Sequence, residues 1–125
     1  MTNVYYSHSM KTYDQEQEKI ELDFLQNKFE RVFNPNKEIT YNRKKGLKPY
    51  LNAVKKSDIV VCSEFEGHIG KGVFREISIA FAYEIPVLYI KGTYPNFELK
   101  EVIGIKVVNK KNPRVKYGIV IFQNK

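Results

Sequence analysis

The chain has 125 residues and a mass of 14.7 kDa, enough for one packed domain over residues 1–125 and too short for two. Hydrophobic residues at 42%, nine tyrosines and eight phenylalanines exclude a disordered tail, and a lone Cys62 beside two histidines excludes both a disulfide framework and a zinc site. The net charge of +7 suits nucleic acid, a phosphorylated small molecule or plain solubility, and the sum alone does not separate the three. No apolar run reaches the roughly 18 residues of a membrane span, and the first residues lack the build of a signal peptide, so a cytoplasmic protein is expected.

Residues 3–6, NVYY, open the chain as a β-strand that Ser7-His8-Ser9 breaks. Residues 12–33 read as a surface helix. Thr12 and Gln15 have the form of a capping box, and Ile20, Phe24, Leu25, Phe29 and Val32 keep helical spacing. Glu16, Glu18 and Glu21 then fall on the opposite, solvated face. A short strand at 31–34 ends at Pro35, and a second helix at 48–57 carries Leu51 and Val54 inward. Asp58-Ile59-Val60-Val61-Cys62 is a continuous apolar run of the kind buried on both faces of a parallel sheet, with Cys62 in the core. A glycine-rich break at 64–72 leads to a third helix at 73–84 and a buried strand at 86–90. Residues 105–108 and 117–122 add strands around a polar connection at 109–113. The alternation predicts an α/β domain with a mainly parallel five-stranded sheet and helices on both faces.

In such a domain ligands bind beyond the carboxyl ends of the strands. In the order 2-1-3-4-5 the first and third strands are neighbours, which brings Ser7-His8-Ser9 and the loop Gly67-His68-Ile69-Gly70-Lys71-Gly72 to one crevice. That loop opens into a helix, an arrangement that holds an anion or simply makes a tight turn; its spacing is neither a dinucleotide fingerprint nor a Walker A loop. Glu76 lies early in the third helix among Val73, Phe74, Ile77, Ile79 and Ala80. Its carboxylate is either an edge residue reaching water or a partly desolvated nucleophile or base in the crevice.

These segments resemble the nucleoside 2-deoxyribosyltransferase superfamily, including its deoxynucleoside 5′-monophosphate N-glycosidase branch. The likeness rests on Val4-Tyr5-Tyr6-Ser7-His8-Ser9-Met10-Lys11, on Ser57-Asp58-Ile59-Val60-Val61, on Gly72-Val73-Phe74-Arg75-Glu76 with Ile77-Ser78-Ile79-Ala80, and on Ile85-Pro86-Val87-Leu88. It covers most of residues 3–90. The resemblance implies a flavodoxin-like (Rossmann-like) three-layer fold and cleavage of the bond between a nucleobase and its sugar, with no cofactor and no metal. Glu76 stands at the family's catalytic glutamate, and Ser9 and Lys11 stand where the glycosidase branch contacts the 5′-phosphate. Tyr6, Ser7, Gly70 and Gly72 would complete the substrate site, with Tyr5 or Phe74 as a further wall for the base. The family's helix aspartate is missing; its position falls near Tyr50, and Asn52 is the nearest polar replacement for contact with the sugar. Proton delivery to the leaving base then falls to His68 or His8. The expected partner is a small nucleoside or nucleotide, and the family implies a homodimer or larger assembly.

Two other readings stay open: a non-catalytic nucleotide sensor of the same fold, and a nucleic-acid-binding protein. The latter would use the acid-free stretch at 104–125, with Lys106, Lys110, Lys111, Arg114, Lys116 and Lys125; it lacks a recognition motif and ranks last.

Overall fold

A computed structural model describes residues 2–109 and 115–122. Lys110, Lys111, Arg114 and Lys125 of the basic stretch lie outside them.

Strand β1 (Asn3–Ser7) is an interior strand, one in from the edge. It pairs in parallel with β2 (Arg31–Phe33) on one side and with β3 (Ile59–Cys62) on the other. Next to β3 runs β4 (Val87–Lys91), also parallel. Two antiparallel strands follow, β5 (Glu98–Asn109) and β6 (Lys116–Ile121), giving one sheet in the order β2-β1-β3-β4-β5-β6. The expected five-stranded, mainly parallel sheet is thus corrected to a six-stranded mixed one. The reason is the length of a connection. Only residues 92–97 separate β4 from β5, whereas a parallel return needs a crossover of a dozen residues or more. β5 also begins seven residues before the expected 105, because Glu98-Leu99-Lys100-Glu101 pairs with Lys91 back to Leu88 despite its charged composition.

Helices cover both faces, and the pleat decides which. Tyr5, Val60, Cys62 and Val87 point to one side, where Val54 of α3 (Lys48–Lys55) and Ile77 and Ala80 of α4 (Lys71–Ala82) meet them. Val4, Tyr6, Val61 and Ile90 point to the other, against Leu25 of α1 (Glu16–Lys28). Each such side chain taken fully out of water contributes about 1.5–3 kcal/mol. Cys62 is core, as expected, and burial pushes its thiol pKa upward. A single turn, α2 (Pro35–Glu38), follows β2 and is capped by the Asn34 side chain.

The start of α1 differs from the expectation. Thr12 closes a short 3-10 turn (Met10–Thr12) and its hydroxyl donates to Ser9 O, so it caps nothing further on. Asp14 takes a positive φ of 62°, which breaks the chain direction, and the helix begins only at Glu16. Among the described residues no helix is long and apolar enough to cross a membrane.

Candidate functional site

The alternation of β1 sorts its polar side chains. Tyr5 and Ser7, two residues apart, share the face toward α4, whereas Tyr6 faces α1. On α4 the residues Val73, Glu76, Ile77 and Ala80 form the buried stripe, so Glu76 is carried against the end of β1 with its apolar neighbours. It is 5% exposed. Tyr5 Oη donates to Glu76 Oε2 at 2.5 Å, and Ser7 Oγ donates to Oε1 at 2.6 Å. Burial raises the carboxyl pKa from 4.5 to about 7, and the hydrogen bonds from Ser7 and Tyr5 hold it from going higher. No cation neutralises it in these contacts. Of the two readings of Glu76, the edge residue is excluded: the group is desolvated and lines a cavity.

That cavity, about 430 Å3, lies at the carboxyl ends of β1 and β3. Beside Glu76 its walls are Tyr13, Tyr41, Tyr50 and Leu47, with Ser9, Lys11, Gly70, Lys71 and Gly72 along the opening loops. Burial, and then the charge of Glu76, raise the phenol pKa of both Tyr13 and Tyr50, so both hydroxyls stay protonated. A Cβ added at Gly70, which precedes α4, or at Gly72 in its first turn would meet no atom within 4 Å, and both residues line the cavity. Gly67 serves local geometry instead. With Glu66 it supplies the two positive φ angles, 54° and 79°, of the tight turn between Phe65 and His68.

Asn52 is not in this site. On α3, Tyr50 and Val54 are four residues apart and both turn inward, which sends Asn52 to the outer face. It lines a different cavity of about 800 Å3 along β2 and α3, whose ionisable lining residues Glu30, Arg31, Glu38 and Lys56 are all exposed. The position near which the family aspartate was sought holds Tyr50, 2% exposed and facing Glu76.

Tyr6 and His8 also need correction. Tyr6 is fully buried on the α1 face, where its hydroxyl donates to Glu21 Oε1 at 2.5 Å, so it does not wall the cavity. His8 borders the cavity but stacks on Tyr6 at a ring separation of 3.6 Å. Its Nδ1 donates to Tyr6 O at 3.0 Å, since a carbonyl only accepts, and its Nε2 meets Glu18 Oε2 at 2.8 Å. With both ring nitrogens engaged, no atom is free to hand a proton to a leaving base. Burial lowers its pKa, against the pull of Glu18 and Tyr6 O.

Glu18 and Glu21 were expected on a solvated face and are 4% and 5% exposed. Glu18 accepts from Asp14 N and Asn36 Nδ2 as well as meeting His8; Gln17 Nε2 donates to Glu21 Oε2. A sequence signal existed. Tyr6 and His8 alternate on one face of a buried strand, and their polar atoms required partners from whichever helix packs there.

His68 is half-buried in the next cavity, about 540 Å3, which shares Ser9, Lys11, Gly70 and Lys71 with the first and adds Phe65, Lys116 and Tyr117. Its Nδ1 is held by Glu66 O at 3.1 Å. His68 and Glu76 therefore open into adjoining cavities rather than the same one. Among the described residues no group of three or more His, Cys, Asp and Glu could hold a metal ion. The chain matches no protein-family model, and no curated protein or solved structure shows significant similarity to it.

Proposed function

We propose that the protein cleaves the N-glycosidic bond of a nucleoside or nucleoside 5′-monophosphate, by hydrolysis or by transfer to a second base, with Glu76 as nucleophile. The observation that carries this reading is the buried Glu76 carboxylate, held at both oxygens by Tyr5 and Ser7 and open to a tyrosine-lined cavity. The parallel part of the sheet, in the order β2-β1-β3-β4, has the order of the corresponding strands of flavodoxin-like folds, and with the likeness of residues 3–90 to nucleoside deoxyribosyltransferases it supports the same reading.

In the first step a Glu76 oxygen attacks the sugar C1′ while the C1′–N bond breaks on the opposite face and its electron pair goes to the base. The positive charge that develops on the sugar is stabilised by the carboxylate, which burial leaves poorly solvated. In the second step water, or a second base, displaces Glu76 from C1′. Tyr5 and Ser7 fix the carboxylate so that little reorganisation accompanies attack. With its pKa at about 7, Glu76 is substantially ionised at neutral pH. Ser9, Lys11, Gly70, Lys71 and Gly72 line the same cavity and would receive the 5′-phosphate.

Incubation with a panel of nucleosides and 5′-monophosphates, with free base followed chromatographically, tests the reading. Base release that disappears in Glu76→Gln is expected. Binding without any release would turn the assignment to a nucleotide sensor.

A further inference from the structure

Two features of the crevice are left over by a mononucleotide substrate. The first is chemical. Among the described residues the walls around Glu76 offer no second carboxyl and no imidazole with a free nitrogen: His8 is engaged at both nitrogens, Tyr50 stands near the sought aspartate position, and His68 opens elsewhere. The proton donors left on the walls are the Tyr13 and Tyr50 phenols, which burial and the charge of Glu76 make weaker acids still, and the Lys11 and Lys71 ammonium groups at the opening, so protonation of a departing base anion is poorly served there. A base that departs without needing a proton requires no such donor. That description fits a pyridinium, whose C1′–N bond breaks to give a neutral pyridine. The Tyr13, Tyr41 and Tyr50 rings and the Glu76 carboxylate also suit a cationic ring, through cation–π attraction and direct charge.

The second feature is the adjoining cavity. At about 540 Å3 it exceeds what one phosphate occupies, and both its wall chemistry and its charge are distinctive. Lys11 and Lys71 stand where the two cavities meet, and Lys116 of β6 adds a third ammonium group. Beyond them are two aromatic rings. Phe65 lies under Lys11 Nζ, 5.8 Å from the ring centroid, and Tyr117 is fixed by stacking on Phe74 at 4.1 Å and by backbone hydrogen bonds with Ile69 in both directions. The groove thus runs from an acidic aromatic half through a cationic neck to a second aromatic half.

We infer that the substrate is a pyridinium dinucleotide, with the pyridinium nucleoside against Glu76 and the tyrosines, the diphosphate at Lys11, Lys71 and Lys116, and the second base between Phe65 and Tyr117. This rests on the glycosidase reading above and narrows its substrate. In the reaction the Glu76 carboxylate forms the C1′–O bond, the C1′–N electron pair returns to the ring nitrogen, and neutral pyridine leaves. Water then attacks C1′; the sugar gains a hydroxyl, and the released proton goes to solvent with Glu76 regenerated as carboxylate.

The test compares NAD+, nicotinamide mononucleotide and deoxynucleoside 5′-monophosphates as substrates of the whole chain, reading free base. It uses the wild type and Lys116→Glu, a surface change outside the Glu76 cavity. NAD+ should be cleaved with the highest kcat/KM, and Lys116→Glu should raise its KM by about tenfold or more while changing that for nicotinamide mononucleotide much less. In parallel, ADP-ribose binding to Glu76→Gln, measured by calorimetry, should be tighter than AMP binding and weakened by adding Lys116→Glu. Cleavage of deoxynucleotides with none of NAD+ would overturn the dinucleotide inference and leave the glycosidase reading standing. Equal ADP-ribose and AMP affinity would also overturn it. Release of no base from any substrate would instead remove the glycosidase reading on which it rests.

Discussion

Tyr5 Oη and Glu76 Oε2 lie 2.5 Å apart across 71 positions of sequence, joining β1 to the helix that covers it. The contact fixes a largely buried carboxylate, and on the proposed function the charge state of that carboxylate bears on activity as well as stability.

Stability should fall as the pH rises through neutrality. The pKa of Glu76 is about 7 folded against 4.5 ordinarily, so the native state binds the extra proton between these values. The contribution is fully present below about pH 4.5 and is lost as the pH passes the folded value, a change of about 3 kcal/mol. Glu76→Gln, neutral at every pH, should therefore have a higher Tm than the wild type at pH 8, with the gap shrinking toward pH 5. Thermal melts at the two pH values check this; the same gap at both would show that the carboxyl titrates normally.

Tyr5→Phe should act on the same group. Its hydroxyl lowers the Glu76 pKa, so its removal should push the ascending limb of kcat/KM against pH above the wild-type position near 7. It also leaves Oε2 without that donor, at a cost of about 1–3 kcal/mol. A pH–rate profile of the variant that overlays the wild type would show that Tyr5 does not touch the reacting carboxylate.

Gly72→Ala separates a binding role from a folding role. A Cβ there meets nothing within 4 Å, and alanine favours helix over glycine by up to about 1 kcal/mol, so Tm should hold or rise. Gly72 lines the cavity, and with a methyl group added there nucleotide affinity should drop. Unchanged affinity by calorimetry would place the ligand away from the α4 amino end.

Glu18→Gln tests whether the α1 face is scaffold. Glu18 takes hydrogen bonds from Asp14 N and Asn36 Nδ2 and meets His8 Nε2, and a single amide oxygen cannot serve them all. Denaturant titration should show a loss of about 1–3 kcal/mol, while kcat per folded molecule stays near the wild-type value. A kcat loss far beyond the stability effect would return a catalytic part to the His8–Glu18 pair.

Much of the architecture was legible because burial on both faces writes an unbroken apolar run: residues 58–62 read as a parallel strand and residues 86–90 as a further buried strand from composition alone, close to the observed β3 and β4. Glu76 was legible as a charge on an apolar helix, though its side of the helix was not. What escaped depended on partners distant in the chain. β5 carries alternating charges and is a strand through pairing with β4, and Glu18 and Glu21 look solvated until the polar tips of Tyr6 and His8 are set against them. Asn52 was chosen by chemistry when helical phase favoured Tyr50, which four-residue spacing ties to buried Val54.

The most direct measurement is free-base release by wild-type protein and Glu76→Gln side by side at pH 8, with ligand binding determined on the same preparations. The account predicts release by the wild type, a fall of at least about a thousandfold in the variant, and binding retained by both. Base release by Glu76→Gln at the wild-type rate would contradict it.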